Sequence, residues 1–178
     1  MTARDRWIDE GMTALREGGA ANVRVDRIAA SLGLTKGSFH HHFRGVNDFH
    51  RALLRRYELD SKDAIEGAAR AGADLPAEQA LMALPTRVAL DPRLEAAIRG
   101  WALENEEAGS TQARVDSARL DALVDLWQRI LPDPARARTA ALVPHLLTIG
   151  ASVAKPTLTK AELDDVFALL VSLVPAVR

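Results

Sequence analysis

The sequence predicts an all-α protein of about nine helices. Apolar residues recur every three or four positions along most of the 178 residues, which is the period of an amphipathic helix. Glycine and proline fall between these segments, where helices begin and end. No stretch shows the alternation of apolar and polar residues that marks a half-buried strand, and no segment repeats another. Together these observations favour a helical fold.

The composition is that of a folded protein without disulfides. Hydrophobic residues make up 48% of the chain, and there is no cysteine to form a disulfide, a thiolate nucleophile or a cysteine metal site. The first twenty residues mix arginine, aspartate and glutamate and contain no apolar core of a signal peptide. No apolar run approaches the roughly 20 residues that a membrane span requires. We therefore expect a soluble, cytoplasmic protein with no membrane contact.

Charge is distributed unevenly along the chain, although the net charge is only −1. Residues 1–60 hold ten lysines and arginines against eight acidic residues, whereas the remainder holds thirteen against sixteen. Four of the five histidines also lie in the first part. A mildly basic N-terminal part on an acidic remainder fits a DNA-binding protein whose contacts are few and local.

The first helix is predicted over residues 3–17. Its apolar stripe consists of Trp7, Ile8, Met12 and Leu15, and Gly18-Gly19 ends it. We expect this helix to cover the two short helices that follow, because two short helices cannot bury a core by themselves.

Two short helices joined by a glycine turn are predicted next. Apolar residues spaced by three and four indicate a helix from Val25 to Leu32, which Gly33 ends. The hydroxyl of Thr35 is expected to cap a second helix over Lys36–Phe43, with Phe39 and Phe43 on its inner face. Such a pair is a helix-turn-helix.

The outer face of the second helix carries hydrogen-bond donors and one residue without a side chain. Its members are Lys36, Gly37, Ser38, His40 and His41. This composition suits close approach to a DNA major groove, whereas an ordinary helical hairpin would simply expose these residues to solvent. We expect Lys36, Ser38 and His41 to read bases. Contacts to phosphates are expected from Thr35, His40, His42 and Arg24, although Arg24 is equally compatible with a solvent-exposed role.

The stretch IAASLGLTKGSFHHHFRGVNDF resembles the DNA-binding motif of the TetR (tetracycline-repressor-like) family of bacterial regulators. The matching positions are Ile28-Ala29, Gly33, Thr35, Gly37-Ser38-Phe39, His42-Phe43 and Asp48. Two positions depart from the family pattern: His40 replaces a usual tyrosine, and Val46 replaces a usual lysine that touches a phosphate. Arg44 is the nearest cation that could take over this last contact.

The resemblance covers roughly the first 55 residues and implies both an architecture and a function. It implies a helix-turn-helix domain over residues 1–46 and a helical ligand-binding and dimerisation domain over residues 47–178. The expected function is that of a repressor, binding a palindromic operator in double-stranded DNA as a homodimer and released by an apolar small-molecule effector. The alternatives are a DNA-binding regulator that responds to a protein partner or to no ligand, and a purely structural helical module.

Periodicity predicts six helices after the helix-turn-helix, with a loop at Ala108–Ser110. Their ranges are 46–71, 76–90, 91–106, 113–131, 134–151 and 160–174. The fifth helix is expected to bury Leu81, Leu84 and Val88 and to bend at Pro85. The seventh is expected to expose Arg119, and the eighth to bury Leu142, Leu146 and Ile149. The ninth carries a near-continuous apolar seam of Leu163, Val166, Phe167, Leu170 and Leu173. The last three helices carry more apolar surface than a small monomer easily buries, which predicts dimerisation.

The sequence offers few signs of other chemistry. Successive residues of a helix point about 100° apart, so His40, His41 and His42 cannot converge on one metal ion. No serine nucleophile in a tight turn, phosphate-binding loop or cofactor motif is present, so we expect neither an enzyme nor a cofactor. The candidate ligand contacts are Met82, Trp101, Asn105, Trp127 and His145. His145 and the two tryptophans also suit a simple core role.

Overall fold

The computed structural model describes residues 2–87 and 91–172, with the side chains of residues 84–87 and 171 left out. Within these residues it contains nine α-helices, a single turn of 3-10 helix over Ala20–Asn22, and no strand. The helices are α1 (Ala3–Gly18), α2 (Val25–Ser31), α3 (Lys36–Phe39), α4 (Val46–Gly72), α5 (Ala77–Arg87), α6 (Pro92–Ala102), α7 (Glu106–Gln128), α8 (Pro134–Val153) and α9 (Lys160–Ser172).

The predicted all-α class is confirmed. No helix among the described residues is long and apolar enough to cross a membrane. The predictions for Leu84, Pro85, Val88 and Leu173 lie outside the described residues and side chains.

The predicted loop at Ala108–Ser110 is wrong, because these residues belong to α7. The chain turns earlier, at residues 103–105. There the Oδ1 of Asn105 accepts a hydrogen bond from the backbone N–H of Ala108 (2.9 Å) and so caps α7. A Cβ at Gly109 would lie 3.3 Å from the carbonyl oxygen of Ala102. The glycine therefore allows the end of α6 to approach the start of α7 closely.

The chain forms two compact units. The first unit comprises residues up to 60 and 93–114, and the second comprises 61–92 and 115 onwards. The first unit is built on an aromatic cluster of Trp7, Phe39, Phe43 and Phe49, none more than 2% exposed. Their ring centroids lie 4.8 Å apart for Phe43 and Phe49 and 5.4 Å apart for Trp7 and Phe39. This cluster joins α1, α3 and the start of α4.

A buried polar group joins three helices of the first unit. The hydroxyl of Tyr57 on α4 lies 2.9 Å from Glu95 Oε1 on α6 and 3.1 Å from Gln112 Oε1 on α7. The three residues are at most 5% exposed. A phenol has one proton, so it donates to one of these oxygens at a time. Arg99 lies 3.7 Å from the second carboxylate oxygen of Glu95.

The second unit has a core of large residues packed against small ones. Leu81 and Trp127 pack against Ala137 and Ala141, surrounded by partly buried residues of α7, of the turn after it and of α8. Arg129 closes the turn after α4 by donating hydrogen bonds to the carbonyl oxygens of Gly72 (3.1 Å) and Leu75.

Two predictions about the burial of individual side chains in the second unit are wrong. Leu146 is 60% exposed, although it was expected inside. The buried residues of α8 are instead Ala137, Ala141, Pro144 and His145, and the two alanines allow neighbouring residues to pack closely against the helix. Arg119, expected at the surface, is buried with its guanidinium 3.7 Å from Asp116, one turn earlier. Its charge is thus met by a carboxylate of its own helix.

Side chains cap the starts of the last two helices. Asp133 accepts a hydrogen bond from the backbone N–H of Ala135 (2.9 Å) at the start of α8. Thr159 and Glu162 form a capping box, in which Glu162 Oε2 accepts from the Thr159 N–H (2.8 Å) and Thr159 Oγ1 from the Glu162 N–H (3.2 Å). These hydrogen bonds hold the pKa of the Glu162 carboxyl below its usual range.

Candidate nucleic-acid interface

The recognition helix α3 is shorter than predicted. It ends at Phe39, and residues 40–42 continue as a tight turn. In that turn the N–H of His40 donates to the Gly37 carbonyl and that of His41 to the Ser38 carbonyl, both at 3.3 Å. Bonds spanning three residues are common where a helix tightens at its end. The chain nevertheless keeps a helical path up to Phe43, whose N–H donates to the Phe39 carbonyl (3.0 Å).

The turn before α3 matches the predicted glycine but not the predicted cap. Gly33 has a φ of 65°, the left-handed conformation expected at the end of α2. Thr35 precedes α3 with an extended backbone, yet its hydroxyl makes no capping hydrogen bond. The reason is that the N–H of Ser38 already donates to the carbonyl of Thr35 (3.0 Å). The exposed Thr35 hydroxyl is therefore not committed to α3.

The predicted contact residues differ in accessibility. Lys36, Gly37, His40 and His41 are exposed, and His42 is half-buried. The hydroxyl oxygen of Ser38 is inaccessible and has no hydrogen-bond partner among the described residues. Ser38 would have to change rotamer to reach a base, whereas Lys36, Gly37, His40 and His41 are already accessible.

Arg24 is exposed and paired with an acidic side chain at the start of α2. Its Nε and Nη2 lie 3.3 Å and 3.1 Å from the two carboxylate oxygens of Asp26. This ion pair lowers the pKa of Asp26. Because Asp26 sits in the first turn of α2, it offsets the unfavourable cation at the helix N-terminus.

Three residues define the start of α4. Asp48 accepts a hydrogen bond from the backbone N–H of Arg44 (3.0 Å), and so fixes the approach to the helix. The side chain of Arg44 is exposed beside this turn, and Val46 is 46% exposed.

Arg4 of α1, which sequence reasoning missed, lies with its guanidinium carbon 4.9 Å from the centre of the Phe43 ring. No local pattern indicates this contact, because it depends on how α1 packs.

The five candidate ligand contacts fall in different units. Trp101 and Asn105 belong to the first unit and Met82, Trp127 and His145 to the second. Trp101 packs edge-on against His50, with ring centroids 5.0 Å apart, and Asn105 caps α7. Trp127 lies in the core of the second unit and His145 on the buried face of α8, whereas Met82 is 47% exposed.

Comparison with known proteins gives a family match that includes α2 and α3. Residues 8–53 match the model of the tetR family of bacterial regulatory proteins. The transcriptional regulator AcuR of Cereibacter sphaeroides is 30% identical over 129 residues, which is 71% of this chain and 58% of that protein. The chain thus spans less than two thirds of this relative's length. Both names describe regulators rather than enzymes.

Solved structures share the fold at low sequence identity. A transcriptional regulator from Rhodococcus sp. Rha1 superposes with a TM-score of 0.79 at 15% identity, covering 97% of this chain and 96% of that one. A tetR-family regulator from Mesorhizobium loti gives 0.71 at 19% identity, covering 99% and 98%. The multidrug binding protein EbrR, solved with imidazole, gives 0.60 at 22% identity, covering 100% and 99%.

Proposed function

We propose, since the chain belongs to the tetR family of bacterial regulatory proteins, that it represses transcription from a palindromic operator in the cytoplasm and leaves the DNA when a small molecule binds. The observation that carries this proposal is the exposed surface of α3 and of the turn after it, where Lys36, His40 and His41 are exposed beside the buried aromatic cluster. Residues 1–46 would form the DNA-binding domain and residues 47–178 the ligand-binding and dimerisation domain.

The contacts to DNA are assigned by exposure and chemistry. Lys36 and His41 read base edges, and Ser38 joins them after a rotamer change. Thr35, with its uncommitted hydroxyl, contacts phosphates together with His40, His42, Arg44 and Arg24. Gly37 has no side chain, which permits the close approach. Arg24 would share its guanidinium between a phosphate and Asp26.

Lys36→Ala tests the base contact. We expect the variant to lose about 1–3 kcal/mol of binding free energy and to relax preference at one position of each half-site. Lys62→Ala is the matched control, because Lys62 is an exposed lysine on α4 that pairs only with Glu66 among the described residues (3.7 Å). Titration of selected operator DNA and its single-base variants measures both effects. An unchanged base preference would refute the assignment of Lys36.

Exposed apolar side chains on α8 and α9 support a homodimer. The set consists of Val143, Leu146 and Val153 on α8 and Val166 and Leu169 on α9, which are 36–60% exposed. Spacings of three and seven place the α8 residues along one side of that helix. Grouped exposed apolar residues mark interaction surfaces, and a dimer is what reading a palindrome requires.

Leu169→Glu tests the dimer without touching the core, because Leu169 is 60% exposed. We expect a folded monomer by sedimentation and circular dichroism. Leu103→Glu, at an 88% exposed leucine outside this surface, is the control and should remain a dimer. Wild-type protein that sediments as a monomer at micromolar concentration would contradict the assignment.

The effector is proposed to be apolar and to act by shifting an equilibrium. A ligand releases DNA only if it binds the DNA-incompetent conformation more tightly than the competent one. Trp127, His145 and Met82 in the second unit, and Trp101 and Asn105 in the first, are the candidate contacts. The alternative is a regulator that answers to a protein partner or to no ligand. Thermal-shift screening with diverse apolar compounds separates the two, because only a ligand-responsive protein is stabilised.

A further inference from the structure

A cleft of about 850 Å³ opens in the first unit, and of the residues given a role in the proposed function only Asn105 lines it. Its walls are the first turns of α4 and the first turns of α7, with Arg4 of α1 at its edge. This volume lies within the range of small-molecule sites. None of the residues assigned to DNA contacts lines it.

Two helices contribute short side chains to the lining of the cleft. Ala52 on α4 and Ser110 on α7 both line it. Arg114 and Glu58 also line it, and the Nε and Nη2 of Arg114 donate to the two carboxylate oxygens of Glu58 at 2.6 Å and 2.7 Å. Because this guanidinium and this carboxylate satisfy each other, they offer little charge to a ligand.

Most of the other charged side chains differ in sign between the two walls. Arg51 and Arg55 lie on the α4 side together with the acidic Asp48, and Glu106 and Glu107 lie on the α7 side. No ion pair links the two arginines to the two glutamates across the cleft among the described residues, and the partner of Arg51 is Asp48 on its own helix, at 3.9 Å. Charges of opposite sign thus line one cavity without an ion pair between these four residues across it, and the field between them orients a dipolar molecule.

We propose that this cleft binds a small zwitterion, with a carboxylate on Arg51 and Arg55 and an ammonium group on Glu106 and Glu107. Guanidinium groups bind carboxylates through paired charge-assisted hydrogen bonds, which favours this orientation over the reverse. The Oγ of Ser110 adds a polar contact between the two ends. The lining holds few apolar residues, so the site differs in chemistry from the proposed apolar effector site.

A zwitterion in the cleft would join the first turns of α4 to α7. Asp48, which fixes the start of α4 through the backbone N–H of Arg44, also lines the cleft. Occupancy would therefore hold the α4 N-terminus, next to the proposed phosphate contacts, in one position. This regulatory consequence rests on the proposed function, whereas the binding itself does not.

Isothermal titration of the full chain at low salt tests the site. The probes are glycine, 4-aminobutyrate and 6-aminohexanoate, compared with hexanoate and hexylammonium, which carry one charge each. We expect at least one zwitterion to bind and both single-charge compounds to bind at least tenfold more weakly. Arg55→Gln and Glu106→Gln, at two exposed positions, should each weaken zwitterion binding at least tenfold. Arg70→Gln, at an exposed arginine of α4 outside the cleft, should not.

Three results would overturn the proposal: no binding by any of the three zwitterions, equal binding of hexanoate, or equal binding of hexylammonium. The last two would indicate a plain anion or cation site. Zwitterion binding by a protein that selects no DNA would leave this inference standing while removing the proposed function.

Discussion

Replacing Gly11 by alanine tests how closely α1 packs on α4 in the first unit. A Cβ at this position would lie 2.7 Å from Leu53 Cδ2 and 2.7 Å from Phe49 Cζ, far inside ordinary contact. Both neighbours are 0% exposed, and Phe49 is backed by Phe43 at 4.8 Å between ring centroids. The neighbours therefore have little room to move.

The expected sign follows from two opposing magnitudes. Alanine improves helix propensity by about 1 kcal/mol over glycine, and overpacking a tight core costs about 1–3 kcal/mol. Because the two contacts are with fully buried groups, we expect the upper part of that cost and a net loss of roughly 1–2 kcal/mol in the free energy of unfolding. Gly67→Ala on α4 is the matched control, since a Cβ there meets no atom within 4 Å.

Denaturant unfolding measures both variants. Gly67→Ala should stabilise the protein by up to about 1 kcal/mol, and Gly11→Ala should destabilise it. If Gly11→Ala stabilised the protein as much as Gly67→Ala, the close packing of α1 on Phe49 and Leu53 would be refuted.

Three further predictions concern the first unit. Tyr57→Phe removes the hydroxyl that donates to the buried oxygens of Glu95 and Gln112. It should lower the free energy of unfolding, measured in denaturant, by about 1–3 kcal/mol. No change would mean that these oxygens have another donor. Burial lowers the pKa of His50, and the nearby charge of Glu107 raises it by less. At this histidine the unfolded chain therefore binds more protons than the folded chain. Stability should therefore fall as pH drops below about 6.5, and less so in His50→Gln; parallel curves for the two proteins would contradict this. Val46→Lys should steepen the log–log salt dependence of DNA binding by about 1 with unchanged base preference. If Arg44 already binds the phosphate that a lysine at position 46 would contact, Arg44→Ala alone should flatten the salt slope. If neither substitution changes the slope, the start of α4 does not lie on the DNA backbone.

Local signals predicted the helix-turn-helix well. The buried pair Phe39 and Phe43 follows from a spacing of four, and the end of α2 follows from the glycine at position 33, whose backbone is left-handed. The missing Thr35 cap could not be predicted. The Ser38 N–H can donate to the hydroxyl or to the carbonyl of Thr35, and the tightness of the first turn decides between them.

Tertiary context explains what the sequence missed elsewhere. Ala108–Ser110 has the composition of a loop, but the cap from Asn105 extends α7 through it. Leu146 looks more suitable for a core than the alanines of α8, yet close helix packing selects the alanines. The charged cleft joins residues about fifty positions apart, such as Glu58 and Arg114, so no local pattern could indicate it.

Selection of DNA by the wild-type protein from a pool of random duplexes tests the central claim most directly. We predict enrichment of an inverted repeat whose half-site centres lie about one helical turn, roughly 10–10.5 base pairs, or a multiple of it apart. Enrichment of no sequence, or of a single site without two-fold symmetry, would contradict a dimeric regulator that reads a palindrome through α3.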